Sequence, residues 1–246
     1  MVTDHQHIAS AFDRDLESAQ AMVMKMGGLV EEAIRGAAKS LKSRDVELAE
    51  KVRKADRQID ELEELINTTC ATILALRQPA ASDLRTVLSV MKIAGNLERI
   101  GDYAKNIAKR TEVLVHMQPI EGTSSAVKRM TTEVASMLSD ALDAYIRRDA
   151  SVADAVRHRD LEVDQMYNAL FREFLTFMME DPRNITACMH LHFIAKNIER
   201  MGDHVTSIAD QVIYLSTGEL PEDDRPKSNT EIYTPDAGDG SDEADE

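Results

Sequence analysis

One stretch of sequence occurs twice in the chain: Asn96-Leu97-Glu98-Arg99-Ile100-Gly101-Asp102 and, 101 positions later, Asn197-Ile198-Glu199-Arg200-Met201-Gly202-Asp203. Each copy places a glutamate and an aspartate four residues apart, which puts both on one face of an α-helix, about one turn apart. Packing between helices requires repeated apolar positions, whereas the positions that repeat most closely here are Asn, Glu, Arg, Gly and Asp. The repeat therefore predicts a helical protein whose two halves carry the same polar site.

Apolar residues around the first copy recur with the period of a helix, and turn signals interrupt them at regular intervals. Pro79 ends one periodic segment, because proline does not continue a helix interior. Asp45, and then either Ser82 or Asp83, are predicted to start the next helices. The Gly27-Gly28 pair is expected to loosen the first helix. We predict three helices in the first half, at about Ile8–Ser43, Asp45–Gln78 and Ser82–Leu114.

The second half repeats this pattern. Arg148-Asp149 corresponds to Arg44-Asp45, and Pro182 takes the place of Pro79. An apolar seam from Ile194 to Leu215 mirrors the seam of the third helix. The sequence thus predicts an all-α fold of two tandem three-helix bundles related by internal duplication. The predicted units are residues 1–118, residues 119–217 and an acidic tail over residues 218–246.

The net charge of −15 is concentrated at the C-terminus. Residues 219–246 contain eleven acids against Arg225 and Lys227, with three of the six prolines and few large apolar residues. A segment of this composition cannot bury enough apolar surface to fold, so the tail is predicted to be disordered. The acidic balance also argues against non-specific binding to nucleic acid, which depends on Lys and Arg contacts to phosphates.

Features of exported and membrane proteins are not found in the sequence. No stretch approaches the roughly 18 uninterrupted apolar residues of a membrane span. Residues 1–10 are polar and lack the apolar centre of a signal peptide. A cytoplasmic protein without membrane insertion is therefore expected. Cys70 and Cys188, which form no CxxC pair, are expected to be reduced thiols packed as small apolar groups.

A second pair of acids precedes each copy of the repeat. Asp56 and Asp60 are four residues apart in the second predicted helix, and Asp160 and Asp164 match them 104 positions later. If the second and third helices are antiparallel neighbours, the two pairs of each half face each other across a shallow groove. The acids of the repeat fall on the polar side of the seam and are predicted to be exposed. The candidate metal ligands are therefore Asp56, Asp60, Glu98, Asp102, Asp160, Asp164, Glu199 and Asp203.

Two interpretations of these acids compete with one another. Four carboxylates in one groove repel each other, and a hard cation relieves the repulsion. Oxygen-only ligands favour magnesium, calcium, manganese or iron over zinc. Salt bridges are the alternative, because Arg57, Arg99, Lys105 and Arg200 lie close enough to neutralise the acids. In a variant of this second interpretation, the acidic faces bind basic surfaces of partner proteins and metals are incidental.

A carboxylate-metal enzyme built on a helical bundle is a third interpretation. Di-iron bundles use Glu-x-x-His motifs, and none of the seven His has a Glu three residues before it. A Gly-rich phosphate loop, a GxSxG elbow and an HExxH motif are also missing from the sequence. A non-enzymatic binding protein is the better interpretation, with His192 and His204 as local polar contacts.

These residues resemble the PhoU family, the accessory and regulatory proteins of bacterial phosphate uptake. The resemblance covers nearly the whole chain up to about Leu215. It rests on four features taken together: Phe12–Glu17, Met24–Val30, Arg77–Arg85 and both Glu-Arg-x-Gly-Asp repeats. It implies two symmetric three-helix bundles whose eight acids bind metal ions or clusters, with magnesium, manganese, iron and zinc left open. Asp83 and Arg85 have no counterpart in the second half, so a helix cap is their leading explanation.

The resemblance also implies a function. A PhoU-like protein is expected to restrain phosphate import and to regulate the phosphate-starvation response negatively. It would do so between the ATPase subunit of the phosphate ABC transporter and the phosphate-sensor histidine kinase, and it is expected to form a homodimer. Neither spacing nor charge indicates these partners, so they follow from the resemblance alone.

Overall fold

A computed structural model describes the backbone of residues 2–222 and the side chains of residues 12–222. Within this part of the chain the secondary structure is entirely helical. The six α-helices are α1 (Val2–Ser43), α2 (Val46–Arg77), α3 (Ser82–Leu114), α4 (Thr123–Arg147), α5 (Ala150–Glu180) and α6 (Ile185–Thr217). A short 3₁₀ turn, Pro182–Asn184, joins α5 to α6. The predicted disordered tail falls mostly on residues 223–246, outside the described residues.

The turns after α1 and α4 are built alike. Asp45 caps α2 and Asp149 caps α5, and each carboxylate accepts a hydrogen bond from the backbone N–H three residues later, at 2.9 and 3.2 Å. The residue before each cap, Arg44 or Arg148, has a positive φ of 55° or 52°. This left-handed residue ends the preceding helix before the capped one begins. The duplication predicted from sequence therefore extends to the backbone of these turns.

Two local predictions are wrong. The residue at the N-cap of α3 is Ala81, and no side chain makes a capping hydrogen bond there. Asp83 contributes only its charge to the first turn, where the helix dipole favours an acid. Gly27 does not loosen α1, which is continuous. A Cβ at Gly27 would lie 2.5 Å from Leu142 Cδ1, so this glycine lets α4 approach α1 closely.

Each half forms a three-helix bundle. α1, α2 and α3 pack against one another, as do α4, α5 and α6. The halves are joined by contacts between α3 and α6 and between α1 and α4, so that one apolar core runs through both bundles. Cys70 and Cys188 are free thiols buried in this core, as predicted. The all-α, duplicated fold is confirmed.

α3 and α6 run antiparallel at the centre of the molecule. His204 Nδ1 lies 2.8 Å from Asn96 Oδ1, and Arg110 Nη1 lies 3.3 Å from His190 Nδ1. In both pairs the residue numbers rise on one helix as they fall on the other, so residues near 100 lie opposite residues near 200. The two Glu-Arg-x-Gly-Asp repeats therefore cross at the middle of this pair. In the described part of the chain, none of the helices has both the length and the apolar character needed to span a bilayer.

Candidate functional site

The structure brings the predicted acids together as two sets, one in each half. The first acidic set (Asp56, Asp60, Glu98, Asp102) lies between α2 and α3, and the second acidic set (Asp160, Asp164, Glu199, Asp203) lies between α5 and α6. Within the first set, the charges of Asp60 and Asp102 both act on Asp56 and on Glu98. Within the second, the charges of Asp164 and Asp203 act on Glu199. The pairing of adjacent helices expected from sequence is therefore present.

The prediction that these sets are shallow is wrong for their deepest members. Asp56 is only 4% exposed and Asp160 only 7%. The side chain of Glu199, which was expected on the polar side, retains 14% of its accessible surface. Carboxylates at this depth lose much of their hydration, which favours their protonated form.

A lysine neutralises part of the first set. Lys105 Nζ lies 2.5 Å from Asp56 Oδ2 and 3.2 Å from Asp102 Oδ1, so one ammonium bridges α2 and α3. Burial still raises the pKa of Asp56, although the hydrogen bond from Lys105 opposes that shift. Burial also raises the pKa of Glu98, and the neighbouring Asp102, Asp60 and Glu63 reinforce the effect. The first set therefore combines residual repulsion among the acids with two ion pairs of Lys105 and a longer pair between Arg99 and Glu98.

In the second set the neutralising lysine precedes the repeat, whereas Lys105 of the first set follows it. Lys196 Nζ lies 2.6 Å from Glu199 Oε1, and the same ammonium stands 5.2 Å from the centre of the Tyr167 ring. Burial raises the pKa of Glu199, Lys196 opposes the shift, and the charges of Asp203 and Asp164 add to it. Glu199 Oε2 is buried without a hydrogen-bond partner. In each half a lysine thus offsets part of the repulsion among the acids, but the two lysines, Lys105 and Lys196, occupy non-equivalent positions.

The glycine of each repeat lies beneath a buried aspartate. A Cβ at Gly202 would be 2.5 Å from Asp160 Oδ1. A Cβ at Gly101 would be 3.0 Å from Ile59 Cδ1 and 3.6 Å from Asp56 Oδ1. A glycine inside a helix costs roughly 1 kcal/mol relative to alanine. Its recurrence is explained by the close approach of the neighbouring helix and its carboxylate.

In this arrangement the acidic side chains do not form a complete metal-binding site. Among residues 12–222, no three side chains of His, Cys, Asp or Glu are placed to hold one metal ion together. In the first set, Lys105 already supplies a positive charge to Asp56 and Asp102. The oxygen-rich chemistry of both sets suits a hard cation, but binding would require the acids to converge. Metal binding at the eight acids therefore stays a prediction.

Sequence reasoning did not identify Lys196 and Tyr167 as parts of the second set. A signal was available for Lys196, because it precedes Glu199 by three positions on one helix, a spacing that brings side chains together. None was available for Tyr167, whose contact with Lys196 depends on the packing of α5 against α6. Of the other cations considered, Arg57 pairs with Glu61, outside the acidic sets. Arg99 Nε lies 3.6 Å from Glu98 Oε2 and so pairs with the first set, as the salt-bridge interpretation expected.

Fold and site together define a class of protein: all-α, with two related three-helix bundles and an acidic set repeated in each. The family model described as "PhoU domain" matches residues 23–111 and again residues 127–212. The chain belongs to the PhoU family, which confirms the resemblance seen in its motifs.

Relatives and solved structures agree with this membership. The chain is 42% identical over 225 residues to a protein of Rhizobium meliloti, covering 92% of this chain and 95% of that protein. It is 45% identical over 222 residues to one of Zymomonas mobilis, covering 90% and 93%. Both are named phosphate-specific transport system accessory protein PhoU homolog. The crystal structure of PhoU from Pseudomonas aeruginosa has a TM-score of 0.81 and 40% identity, covering 85% of this chain and all of that one.

A second crystal structure supports the same fold at lower identity. It is that of the phosphate transport system regulatory protein PhoU from Streptococcus pneumoniae, with a TM-score of 0.80 and 34% identity. The match covers 86% of this chain and 99% of that one. The similarity therefore extends over the full length of both solved proteins.

Proposed function

We propose that this protein is a non-enzymatic regulator of phosphate uptake and phosphate homeostasis. The observation that carries the proposal is the match of the PhoU domain to both halves, together with relatives that align over nearly their whole length and are named accessory proteins of phosphate-specific transport. Deletion of the gene in cells grown with abundant phosphate tests it. Expression of phosphate-starvation genes should become constitutive, and ordinary repression would contradict the proposal.

The proposed mode of action is that of a cytoplasmic adaptor. It would link the ATPase subunit of the phosphate ABC transporter to the phosphate-sensor histidine kinase, so that the kinase stays silent when phosphate is sufficient. The acidic grooves support this mode, because charged surfaces steer association with basic partners. Pull-downs of each partner with the wild type and with Asp102→Ala/Asp203→Ala, which removes one acid from each set, test whether the acidic grooves make the contact. If neither partner retains the protein, the proposed role as an adaptor is wrong.

Metal binding is a separable part of the proposal. A divalent or transition metal ion would be held by the acids of either set, most directly by the second, where Glu199 Oε2 has no hydrogen-bond partner. In the first set, Lys105 would have to release Asp56. Elemental analysis of protein purified without chelator, and thermal stability with added ions, measure the binding. Asp102→Ala/Asp203→Ala should abolish both signals, and their absence in the wild type would rule out this part.

Direct docking without metal is favoured by one specific observation. Lys105 bridges Asp56 and Asp102, so the first set is partly neutralised by the chain itself. In that case a chelator should leave the pull-downs unchanged, whereas a metal-dependent contact should be lost.

Homodimer formation is also proposed, and sedimentation of the purified chain at several concentrations tests it. The carboxylate-metal enzyme stays an alternative, and phosphoester turnover abolished by Glu98→Ala would be needed to support it.

A further inference from the structure

A basic cleft lies on the side of the molecule formed by α1 and α4. It encloses about 660 Å³ and is bordered by Lys39 and Lys42 of α1 and Lys128 of α4, with Ala38 and Ala135 also lining it. This volume falls in the range typical of binding clefts, about 300–1,000 Å³. The cleft belongs to neither acidic set, and the proposed function does not use it.

The positive charge of the cleft is not neutralised by the residues around it. No ion pair is formed by Lys39, Lys42 or Lys128 among the residues with described side chains. The acid that lines the cleft, Asp140, is paired with Arg159 of α5 at 2.5 Å. A fourth cation at the rim, Arg35, is paired with Glu31. Three lysines therefore face one opening in a chain whose net charge is −15.

The C-terminal segment of the chain has the complementary charge. Residues 223–246 contain nine Asp or Glu against two basic residues, a net charge of −7. They follow Glu222, whose carbonyl accepts a hydrogen bond from Arg157 Nη2 at 2.8 Å. Two residues further along α5, Arg159 donates to Ser136, which lines the cleft, at 3.0 Å. Arg157 also pairs with Asp210 of α6, and residues two apart on a helix point to different faces. The segment therefore leaves the molecule on the α6 side of α5, and must pass around α5 to reach the cleft.

Its length is sufficient to reach the lysines. Twenty-four residues extend over up to about 80 Å at roughly 3.3 Å per residue. The path crosses from α5 over α4 to α1, because α5 packs on α4 and α4 on α1. At about 8–10 Å between neighbouring helices, this amounts to two helix spacings and the way around α5. We propose that residues 223–246 bind in cis to the α1/α4 cleft, where their carboxylates meet Lys39, Lys42 and Lys128. The acidic segment would then compete with acidic or anionic ligands of this face.

Zero-length carbodiimide cross-linking of the full chain tests the proposal directly. At low ionic strength, acids of residues 223–246 should cross-link to Lys39, Lys42 and Lys128. These links should disappear in about 1 M salt, where the screening length is about 3 Å. The exposed lysines Lys25 and Lys51 are internal controls. Equal linkage to the controls, or no links at all, would overturn the proposal and leave the cleft to a separate anion or an acidic partner.

Mixing isotope-labelled and unlabelled chains distinguishes binding in cis from binding between copies. Links within one isotopic species support the proposal, whereas mixed links would assign the cleft to the segment of a second copy and overturn it. A second measurement uses Ser241→Cys with a spin label, because the native Cys70 and Cys188 are buried. Amide signals along the cleft should be broadened by the label, as binding brings it close.

Matched charge variants complete the test. The broadening should be lost in Lys39→Gln/Lys42→Gln/Lys128→Gln and retained in Lys25→Gln/Lys51→Gln/Lys92→Gln, which removes the same number of exposed charges elsewhere. Circular dichroism of both variants establishes that they remain folded. Equal loss in the two variants would show only a general attraction between the segment and a basic surface, and the assignment to this cleft would be wrong.

Discussion

At the scale of single residues, Lys105 determines the state of the first acidic set. Its ammonium holds Asp56, which is almost completely buried, and Asp102 together. The second set contains Thr206 at the equivalent position, 101 residues later, and relies on Lys196 instead. The charge that stabilises each set is therefore supplied by the chain from different places.

Lys105→Met should lower the free energy of unfolding at pH 7 by about 1–3 kcal/mol. Asp56 is left buried without its partner, and the loss is limited because Lys105 itself is 40% exposed. Without the lysine the pKa of Asp56, already raised by burial, rises further. The folded state then binds a proton more readily than the unfolded chain, so stability recovers as the pH falls.

Urea denaturation of this variant at pH 7 and at about pH 5 measures both effects. Lys109→Met, which removes an exposed lysine one turn further along α3, is the control and should change little. A loss of the same size at both pH values would show that Asp56 is not the group responsible.

Gly202→Ala should destabilise the protein, although alanine favours helix. The new Cβ would lie 2.5 Å from Asp160 Oδ1, and this buried carboxylate has little space in which to move. Crowding of a packed site costs about 1–3 kcal/mol. Gly95→Ala in α3 is the matched control, because nothing lies within 4 Å of its Cβ position. Its stability should rise by up to about 1 kcal/mol. Thermal unfolding of both variants checks the order, and a more stable Gly202→Ala would contradict the close approach.

The acids of the site could be predicted from sequence, but their depth could not. The helical period, together with the expected pairing of adjacent helices, grouped the four acids of each half correctly. It missed Lys196 and Tyr167, which lie beside Glu199. It does not give the distance between helices. Gly101 and Gly202 let α2 and α5 come close enough to bury the carboxylates that face them. That approach depends on packing between elements, which a single helical pattern does not contain.

At the scale of secondary-structure elements, the turn after α1 also holds the end of α3. Arg44 Nη2 donates to the carbonyl oxygens of Leu114, Val115 and Met117, at 2.9, 2.7 and 2.7 Å. The Leu114 carbonyl also accepts from the Met117 N–H at 3.1 Å. The carbonyls of Val115 and Met117 lie beyond the end of α3, where the helix provides no N–H partner. Arg148 has the same left-handed backbone, but its side chain makes no such bonds within the described residues. Both residues have the same strained backbone, but of the two only Arg44 makes these side-chain hydrogen bonds. Comparing substitutions at the two positions therefore distinguishes the effect of the strain from that of the bonds.

Arg44→Gly and Arg148→Gly should have opposite effects. Glycine relieves the positive φ at both positions, which stabilises Arg148→Gly by up to about 1 kcal/mol. At position 44 the loss of the charge-assisted hydrogen bonds that the two Nη2 hydrogens share among three carbonyls dominates. The free energy of unfolding should therefore fall by about 1.5–3 kcal/mol. Chemical denaturation of the two variants under identical conditions makes the comparison. Equal shifts would mean that the Arg44 bonds contribute nothing.

The bounds of the elements were largely accessible from sequence. Asp45, Asp149 and Pro182 mark three of the helix boundaries by their capping or helix-breaking chemistry. The start of α3 at Ser82 was predicted correctly, but its cap was not. Ser82 and Asp83 both have side chains able to cap, whereas the N-cap is Ala81 in an unusual backbone conformation (φ 48°). Tertiary packing can impose such a conformation against local preference.

At the scale of the whole molecule, the two bundles share one core. Pairing of α3 with α6 and of α1 with α4 buries apolar residues of both halves together. Each bundle by itself would expose the faces that these helices present to each other. The internal repeat predicted two bundles from sequence, but it contained no information on how they associate.

Thermal unfolding of the full chain should accordingly be a single cooperative transition. Calorimetry should give a van't Hoff enthalpy equal to the calorimetric enthalpy. Leu97→Ala in α3 and Ile198→Ala in α6, both fully buried in the central pair, should lower the midpoint of that one transition. Each should cost about 2–5 kcal/mol. Two resolved transitions, with only one of them shifted by each substitution, would indicate independent bundles.

The crossing of the two repeats within one polypeptide has a consequence for divergence. In a homodimer of single bundles, every substitution appears in both copies, and the two grooves must stay identical. Covalent fusion removes that constraint, because Lys105 and Thr206 at equivalent positions are encoded separately. The two grooves accordingly take their counter-ions from different positions, Lys105 in one and Lys196 in the other. The two halves share one backbone architecture, but their two grooves can acquire different functions.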